Sequence, residues 1–144
     1  MTPRGVLVLL AALIFARPAR AQSSDASAAV PAAQTAATAW LALVDTGDYD
    51  GSWDHAALAF RTRVEKPTWG PMVRKARESI EPLGPRKLMT ATFATTLPNA
   101  PKGSYVVIQY ETKAADGQTV VETVTPMKDP DGKWRVSGYY IRPK

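Results

Sequence analysis

The sequence predicts an α+β fold: three N-terminal helices packed on a four-stranded antiparallel sheet, as one cone-like or roll-like domain. Two observations support this prediction. From residue 33 to residue 80, apolar residues recur every three or four positions, as on one face of a helix. After residue 85, four segments rich in Val, Thr, Tyr and Phe largely alternate and are separated by short Gly- and Pro-containing turns. Short connections imply an antiparallel meander, and one of its faces can bury the helical stripes.

The N-terminus has the three parts of a secretory signal peptide. A basic start (MTPR) precedes twelve apolar residues (GVLVLLAALIFA) and the A-x-A sequence at residues 19–21. Twelve apolar residues are fewer than the roughly 20 that a spanning helix needs, so we expect no stable membrane anchor after cleavage. The sequence predicts cleavage between Ala21 and Gln22 and an exported protein, periplasmic or secreted. Residues 1–21 are then the signal peptide, 22–31 a flexible leader, and 32–144 the single folded domain.

Composition excludes several classes of function. Without Arg4, Arg17 and Arg20 of the signal peptide, 15 basic and 13 acidic residues remain, and the formal charge falls from +5 to +2. The chain has no dense basic stripe, so we expect no nucleic-acid partner. It has no cysteine, which excludes disulfides, thiol catalysis and cysteine-bound metals. A G-x-S-x-G nucleophile motif and a glycine-rich phosphate loop do not occur either.

Each of the three helices is predicted from one apolar stripe. The stripe of the first helix, which Gly47 closes, is Ala33, Ala36, Ala37, Trp40 and Val44. The stripe of the second is Trp53, Ala57, Phe60 and Val64. The third helix starts near Thr68 with the stripe Trp69, Val73, Ala76 and Ile80. Its predicted exposed face is Arg74, Lys75, Arg77 and Glu78.

The strands carry apolar residues on both faces, so alternation alone does not select the buried one. Strict alternation in the last strand puts Trp134, Val136 and Tyr140 on one side. The other side then has Arg135, Ser137, Tyr139 and Ile141. We expect the helix-facing side of the sheet to contain Val106, Ile108, Tyr110, Trp134 and Val136.

Four aspartates and the only histidine lie within eleven positions: Asp45, Asp48, Asp50, Asp54 and His55. A calcium loop in this frame needs an acid at its first position and a glutamate at its twelfth, but these positions hold Thr46 and Ala57. A single histidine cannot supply a zinc site. We therefore expect Asp48 or Asp50 to cap the second helix, and we expect no metal and no cofactor.

Three segments carry a resemblance to a known family: AWLALVDTGDYDGSW, LPNAPKGSYVVIQYET and DGKWRVSGYYI. Over residues 33–141 the chain resembles domain-of-unknown-function family 4019, a family of small exported bacterial domains. The helix–DTGDYD–helix pattern also resembles the wider nuclear-transport-factor-2-like (cystatin-like) superfamily, in which helices wrap a curved sheet into a cone. These resemblances imply a fold and a compartment, but no chemistry, because the closer family has no assigned activity.

Two classes of function remain open. The first is a non-catalytic exported module that binds an unknown small ligand or periplasmic protein, with Trp69, Tyr49 and Tyr140 as candidate contacts. The second, implied by the wider resemblance, is an acid–base isomerase or dehydratase, with Asp54, His55 and Tyr110 as candidate groups. The absence of a catalytic motif favours the first class. A buried carboxylate bonded to a tyrosine inside a deep pocket would favour the second.

Overall fold

The computed structural model describes residues 19–144, with side chains from residue 24 onward. Residues 1–18, most of the predicted signal peptide, lie outside this part. The described chain contains helices followed by one antiparallel sheet, so the predicted α+β fold is confirmed. The predicted number of helices is wrong, because this part of the chain has four helices and not three. The helices are α1 (Ala19–Asp45), α2 (Tyr49–Asp54), α3 (Leu58–Arg61) and α4 (Lys66–Arg77). The strands are β1 (Lys87–Ala94), β2 (Tyr105–Lys113), β3 (Thr119–Lys128) and β4 (Trp134–Pro143).

The sheet is the predicted meander, with strand order β1-β2-β3-β4 and antiparallel pairing throughout. Gly117 and Gly132 adopt positive φ in the last two turns, a conformation that glycine enters without steric cost. One sheet face packs on the helices and forms the main core. The prediction for that face is confirmed, because the core includes Val106, Ile108, Tyr110 and Val136, and the half-buried Trp134 packs against it.

Helix α1 is longer than the sequence predicted. It runs through residues 22–31, for which a flexible leader was expected, and Ala29 in that segment is buried. The segment is rich in alanine, the residue with the highest helix propensity, and small side chains let α1 approach the sheet closely. Gly47, at φ 77°, ends the helix as predicted. By length and composition alone, residues 24–45 could cross a membrane, but core helices pass the same test, and the buried face of α1 packs on the sheet.

The predicted second helix is broken into α2 and α3. The backbone N–H of Ala57 donates to the Val136 carbonyl of β4 at 2.8 Å instead of continuing a helix. Ala57 then packs with Tyr105 and Met127 in a second small core, separate from the one under α1. The break follows from contact with the edge strand, which helical periodicity does not encode.

A β-bulge in β4 reverses the predicted faces of its C-terminal half. Thr125 pairs with Gly138 and Pro126 with Val136, so Ser137 is the extra residue. Tyr139 consequently packs against the main core, whereas Tyr140 faces the other side and is 73% exposed. Strict alternation had placed these two tyrosines the other way round, and that prediction is wrong.

Helix α4 also departs from its prediction. It starts after Glu65, which makes no side-chain capping bond, rather than near Thr68. Trp69 and Val73 are buried as expected. Arg77, expected on the exposed face, is only 2% exposed. Its charge is accommodated by the carboxylates of Asp45 and Glu81.

Candidate functional site

A fully buried carboxylate lies on the helix-facing side of the sheet. It belongs to Glu122 of β3, which has no exposed surface. Arg86 donates to it twice, from Nε to Oε2 at 2.5 Å and from Nη2 to Oε1 at 3.1 Å. The Tyr139 hydroxyl donates to Oε1 at 2.6 Å. Three donors therefore satisfy the carboxylate, which compensates the cost of removing it from water.

Asp45, at the C-terminal end of α1, extends this cluster toward the surface. Its Oδ1 accepts from Arg77 Nη2 at 2.7 Å and from Arg86 Nη2 at 2.9 Å, and its Oδ2 accepts from Arg86 Nη1 at 2.7 Å. Partial burial opposes its ionisation, but the hydrogen bonds from Arg86 and Arg77 outweigh burial and lower the pKa of Asp45. A carboxylate at the C-terminal end of a helix is unfavourable because of the helix dipole. Here the hydrogen bonds from Arg77 and Arg86 compensate that cost.

Arg77 is the buried cation of the cluster. Burial opposes its charge, yet the neighbouring carboxylates of Asp45 and Glu81 outweigh burial and raise the pKa of Arg77. Its Nε lies 2.8 Å from Glu81 Oε1, but the N–H is not directed at that oxygen, so the contact is an ion pair without a hydrogen bond. We call Asp45, Arg77, Arg86, Glu122 and Tyr139 the Glu122 network.

Only the outer members of the Glu122 network, Asp45, Arg77 and Arg86, line the described surface depressions. Burial and the adjacent Glu122 carboxylate raise the pKa of Tyr139, so its phenol stays protonated and acts as a donor. Surface depressions of about 450 and 380 Å³ reach Asp45 and Arg86, but neither Glu122 nor Tyr139 lines any described cavity. The network instead joins α1, α4, β3, β4 and the segment before β1.

A cavity between the N-terminal half of α1 and the sheet has a more accessible set of groups. This α1 cavity has a volume of about 450 Å³. Its lining combines aromatic rings, hydroxyls and two opposite charges: Phe93, Trp134, Thr95, Ser104, Asp25 and Lys128, with Ala28 and Ala29 from α1. Pockets of a few hundred Å³ with apolar walls and a few polar groups are typical of small-molecule sites.

Trp134 differs from the other three tryptophans in its hydrogen bonding. The indole N–H of Trp40 donates to the Ser52 carbonyl at 2.8 Å, that of Trp53 to the Val64 carbonyl at 2.7 Å, and that of Trp69 to Ser52 Oγ at 2.9 Å. The indole N–H of the half-buried Trp134 has no hydrogen-bond acceptor among the described residues. This N–H is not one of the fully buried unpartnered polar atoms, so it reaches solvent and remains available to donate to a bound molecule.

The acidic cluster between α1 and α2 is a capping structure. Asp48 Oδ1 accepts from the Gly51 N–H at 2.9 Å, as predicted for a helix cap. A Cβ at residue 51 would lie 2.2 Å from Asp48 Oδ2, so a larger residue there would displace the cap. Asp54 is exposed and ion-pairs with Lys66 at 2.7 Å, and the exposed His55 places Nδ1 2.8 Å from the Gly51 carbonyl. Within residues 24–144, no three acidic or histidine side chains are grouped as metal ligands would be.

The aromatic candidates are distributed over different parts of the molecule. Trp69, a candidate ligand contact, lies in the core against Trp40 and Phe60. Tyr49 lines an open depression between α2 and α4, beneath the Arg74 guanidinium. Tyr110 faces the core, and burial raises its pKa. Tyr140 lines a groove on the opposite side of the sheet. The structure does not bring these candidates together.

The sequence analysis missed the Glu122 network, although one signal for it was present. Glu122 alternates with Val120 and Val124, so it occupies a core-facing position in an otherwise apolar strand. A charge at such a position requires a buried partner. The partner, Arg86, lies outside every regular element and has no pattern that would identify it.

Comparisons with known proteins agree with the fold and assign no activity. A family model described as "Protein of unknown function (DUF4019)" matches residues 36–139. No curated protein matches the chain. A solved structure of a protein from Catenulispora acidiphila has 11% sequence identity and a TM-score of 0.53, covering 81% of this chain and 92% of that one. At that identity, the likeness concerns the fold alone.

Proposed function

The chain belongs to the DUF4019 family, which has no assigned function, and we propose that it is an exported, non-catalytic module that binds a small ligand in the α1 cavity. Two observations carry this proposal: Trp134 lines the cavity, and its indole N–H has no acceptor among the described residues. Phe93 and Trp134 supply flat apolar contacts, and Thr95 and Ser104 supply hydroxyls. These groups suit a compact aromatic ligand that carries hydrogen-bond acceptors.

Export is supported by the apolar N-terminal segment and its A-x-A sequence. Cleavage before Gln22 would leave Asp25, Ala28 and Ala29 in the mature chain. These three residues line the α1 cavity from the helix side. The cleavage site and the cavity are therefore compatible.

An acid–base enzyme is the second candidate function, and the Glu122–Tyr139 pair is the observation in its favour. A catalytic group must come within hydrogen-bond reach of the substrate. Both members of this pair lie outside the lining of the described cavities, so we assign them a structural role. This assignment predicts that a bound compound is released unchanged.

Calorimetry with a panel of small polar aromatic compounds tests the proposal. In Trp134→Phe the aromatic wall remains but the N–H is lost, so the affinity of a binder should fall about three- to tenfold, the effect of one hydrogen bond. Trp53→Phe is the matched control, because the indole of Trp53 bonds to Val64 away from the cavity, and affinity should be unchanged. Equal affinity in wild type and Trp134→Phe, or conversion of the bound compound, would contradict the proposal.

A further inference from the structure

A second groove lies on the opposite side of the sheet from the α1 cavity. This outer groove, of about 140 Å³, is formed by α3, the β1–β2 loop and strands β3 and β4. Most of its lining is apolar or aromatic, and its principal walls are Pro98, Pro101, Tyr105, Met127 and Tyr140, with Arg63 beside them. It shares no lining residue with the α1 cavity. A ligand here would therefore act independently of the α1 cavity.

Arg63 is the one charged residue that lines the outer groove. Its Nη2 donates to the Asn99 carbonyl at 2.9 Å. In the described residues it forms no ion pair, whereas Arg77, Arg86 and Arg135 each pair with acids. A guanidinium has five N–H donors, so most of those on Arg63 are free to bind an anion. The groove thus combines an apolar floor with one uncompensated positive charge.

The walls of the outer groove are held in place before any ligand binds. The Tyr105 hydroxyl donates to the Pro101 carbonyl at 2.5 Å, and the Arg63–Asn99 bond fixes the same loop to the segment after α3. The bulge at Ser137 turns Tyr140 to this side, where it stands 73% exposed over the groove. Because these contacts already exist, little ordering of the walls opposes binding.

We propose that the outer groove binds a small monocarboxylate with one compact apolar group, its carboxylate on Arg63 and its apolar group among Tyr105, Met127 and Tyr140. The size of the apolar group follows from the volume, because an apolar cavity of about 150 Å³ accommodates benzene. The anionic end follows from Arg63, since guanidinium and carboxylate groups form paired, charge-assisted hydrogen bonds. Benzoate has both parts and serves as the probe.

The test measures benzoate binding by NMR titration of the isotope-labelled protein, with benzyl alcohol as the uncharged comparison. We expect benzoate to shift the resonances of the outer groove and to bind at least about tenfold more tightly than benzyl alcohol, as one charge-assisted interaction implies. Arg63→Gln should remove this preference. Gly138→Val should weaken both compounds, because a Cβ at 138 meets only Thr125 at 3.8 Å and its branches would occupy the groove.

Arg61→Gln is the matched control for charge. Arg61 is in the same segment, but its guanidinium lies 5.8 Å over the Trp53 ring and does not line the groove. Equal loss in Arg61→Gln and Arg63→Gln would overturn the proposal, because general electrostatic attraction would then explain binding. Equal affinity for benzoate and benzyl alcohol would also overturn it, as would binding of peptide C-termini without binding of benzoate. Circular dichroism of each variant confirms that a lost response is not lost folding.

Discussion

Replacing Glu122 with Gln should destabilise the domain more than any comparable change of a surface carboxylate. Both oxygens of Glu122 accept hydrogen bonds, and every partner is a donor, from Arg86 or from Tyr139. A glutamine keeps the shape but places an NH₂ group opposite one of these donors. The variant therefore leaves a donor unsatisfied and removes the negative charge nearest to Arg86.

The size of this effect follows from what still compensates Arg86. Removing one partner of a buried ion pair costs about 3–5 kcal/mol when the remaining charge is uncompensated. Asp45 still accepts from two nitrogens of Arg86 in the variant, and the Arg86 side chain keeps 18% of its surface exposed. We therefore expect the free energy of unfolding to fall by about 3 kcal/mol, at the lower end of that range.

Urea denaturation measures this loss, with an unchanged m-value as evidence that the compactness of both states is preserved. Glu111→Gln is the matched control, because Glu111 also lies on the sheet but forms an exposed ion pair with Lys144. Its midpoint should not change measurably, since exposed pairs contribute little. A loss below about 1 kcal/mol for Glu122→Gln, or one equal to that of the control, would refute the proposed role of the network.

Three further predictions concern pH, processing and metals. Because folding lowers the pKa of Asp45, the ionised carboxylate stabilises the fold at any pH above the usual aspartate pKa of 3.8. This stabilisation is lost as the pH falls through the pKa of Asp45 in the folded state. Asp45→Asn should therefore lose less stability than wild type on acidification below pH 3.8, and parallel acid-unfolding curves would argue against the assignment. Mass spectrometry of the exported protein should find Gln22 at the N-terminus, whereas an intact Met1 would disprove cleavage. Chelator should leave the melting temperature unchanged, and a drop that calcium reverses would show that the acidic cluster binds metal.

The sequence predicted the elements whose cause is local. Gly47 ends α1 and Asp48 caps α2 because these roles depend on a few neighbouring residues. Alternation also grouped correctly the residues that share a sheet face as far as Val136, although it did not select which face is buried. Prediction failed one residue later, at Ser137, because a bulge depends on how two strands pair and has no signature in β4 alone.

The candidate sites depended more strongly on tertiary contacts and were harder to predict. Arg77 was assigned to solvent because an arginine on a helix is usually exposed, yet Asp45 and Glu81 make its burial possible. Trp134 was predicted to lie on the helix-facing side of the sheet. Its indole N–H lacks an acceptor, unlike those of the other three tryptophans, and this depends on which acceptors the fold brings close to each indole. The sequence did not predict Asp25 in a cavity wall, because residues 22–31 were interpreted as a flexible leader.

The indole region of a ¹H–¹⁵N NMR spectrum tests ligand binding in the α1 cavity most directly. Three indole N–H groups are bonded within the protein and serve as internal references: Trp40, Trp53 and Trp69. We predict that a polar aromatic ligand shifts the Trp134 indole signal, assigned by its loss in Trp134→Phe, and leaves the three references in place. A Trp134 signal that no compound in the panel moves, or that moves only together with the other three, would contradict the account.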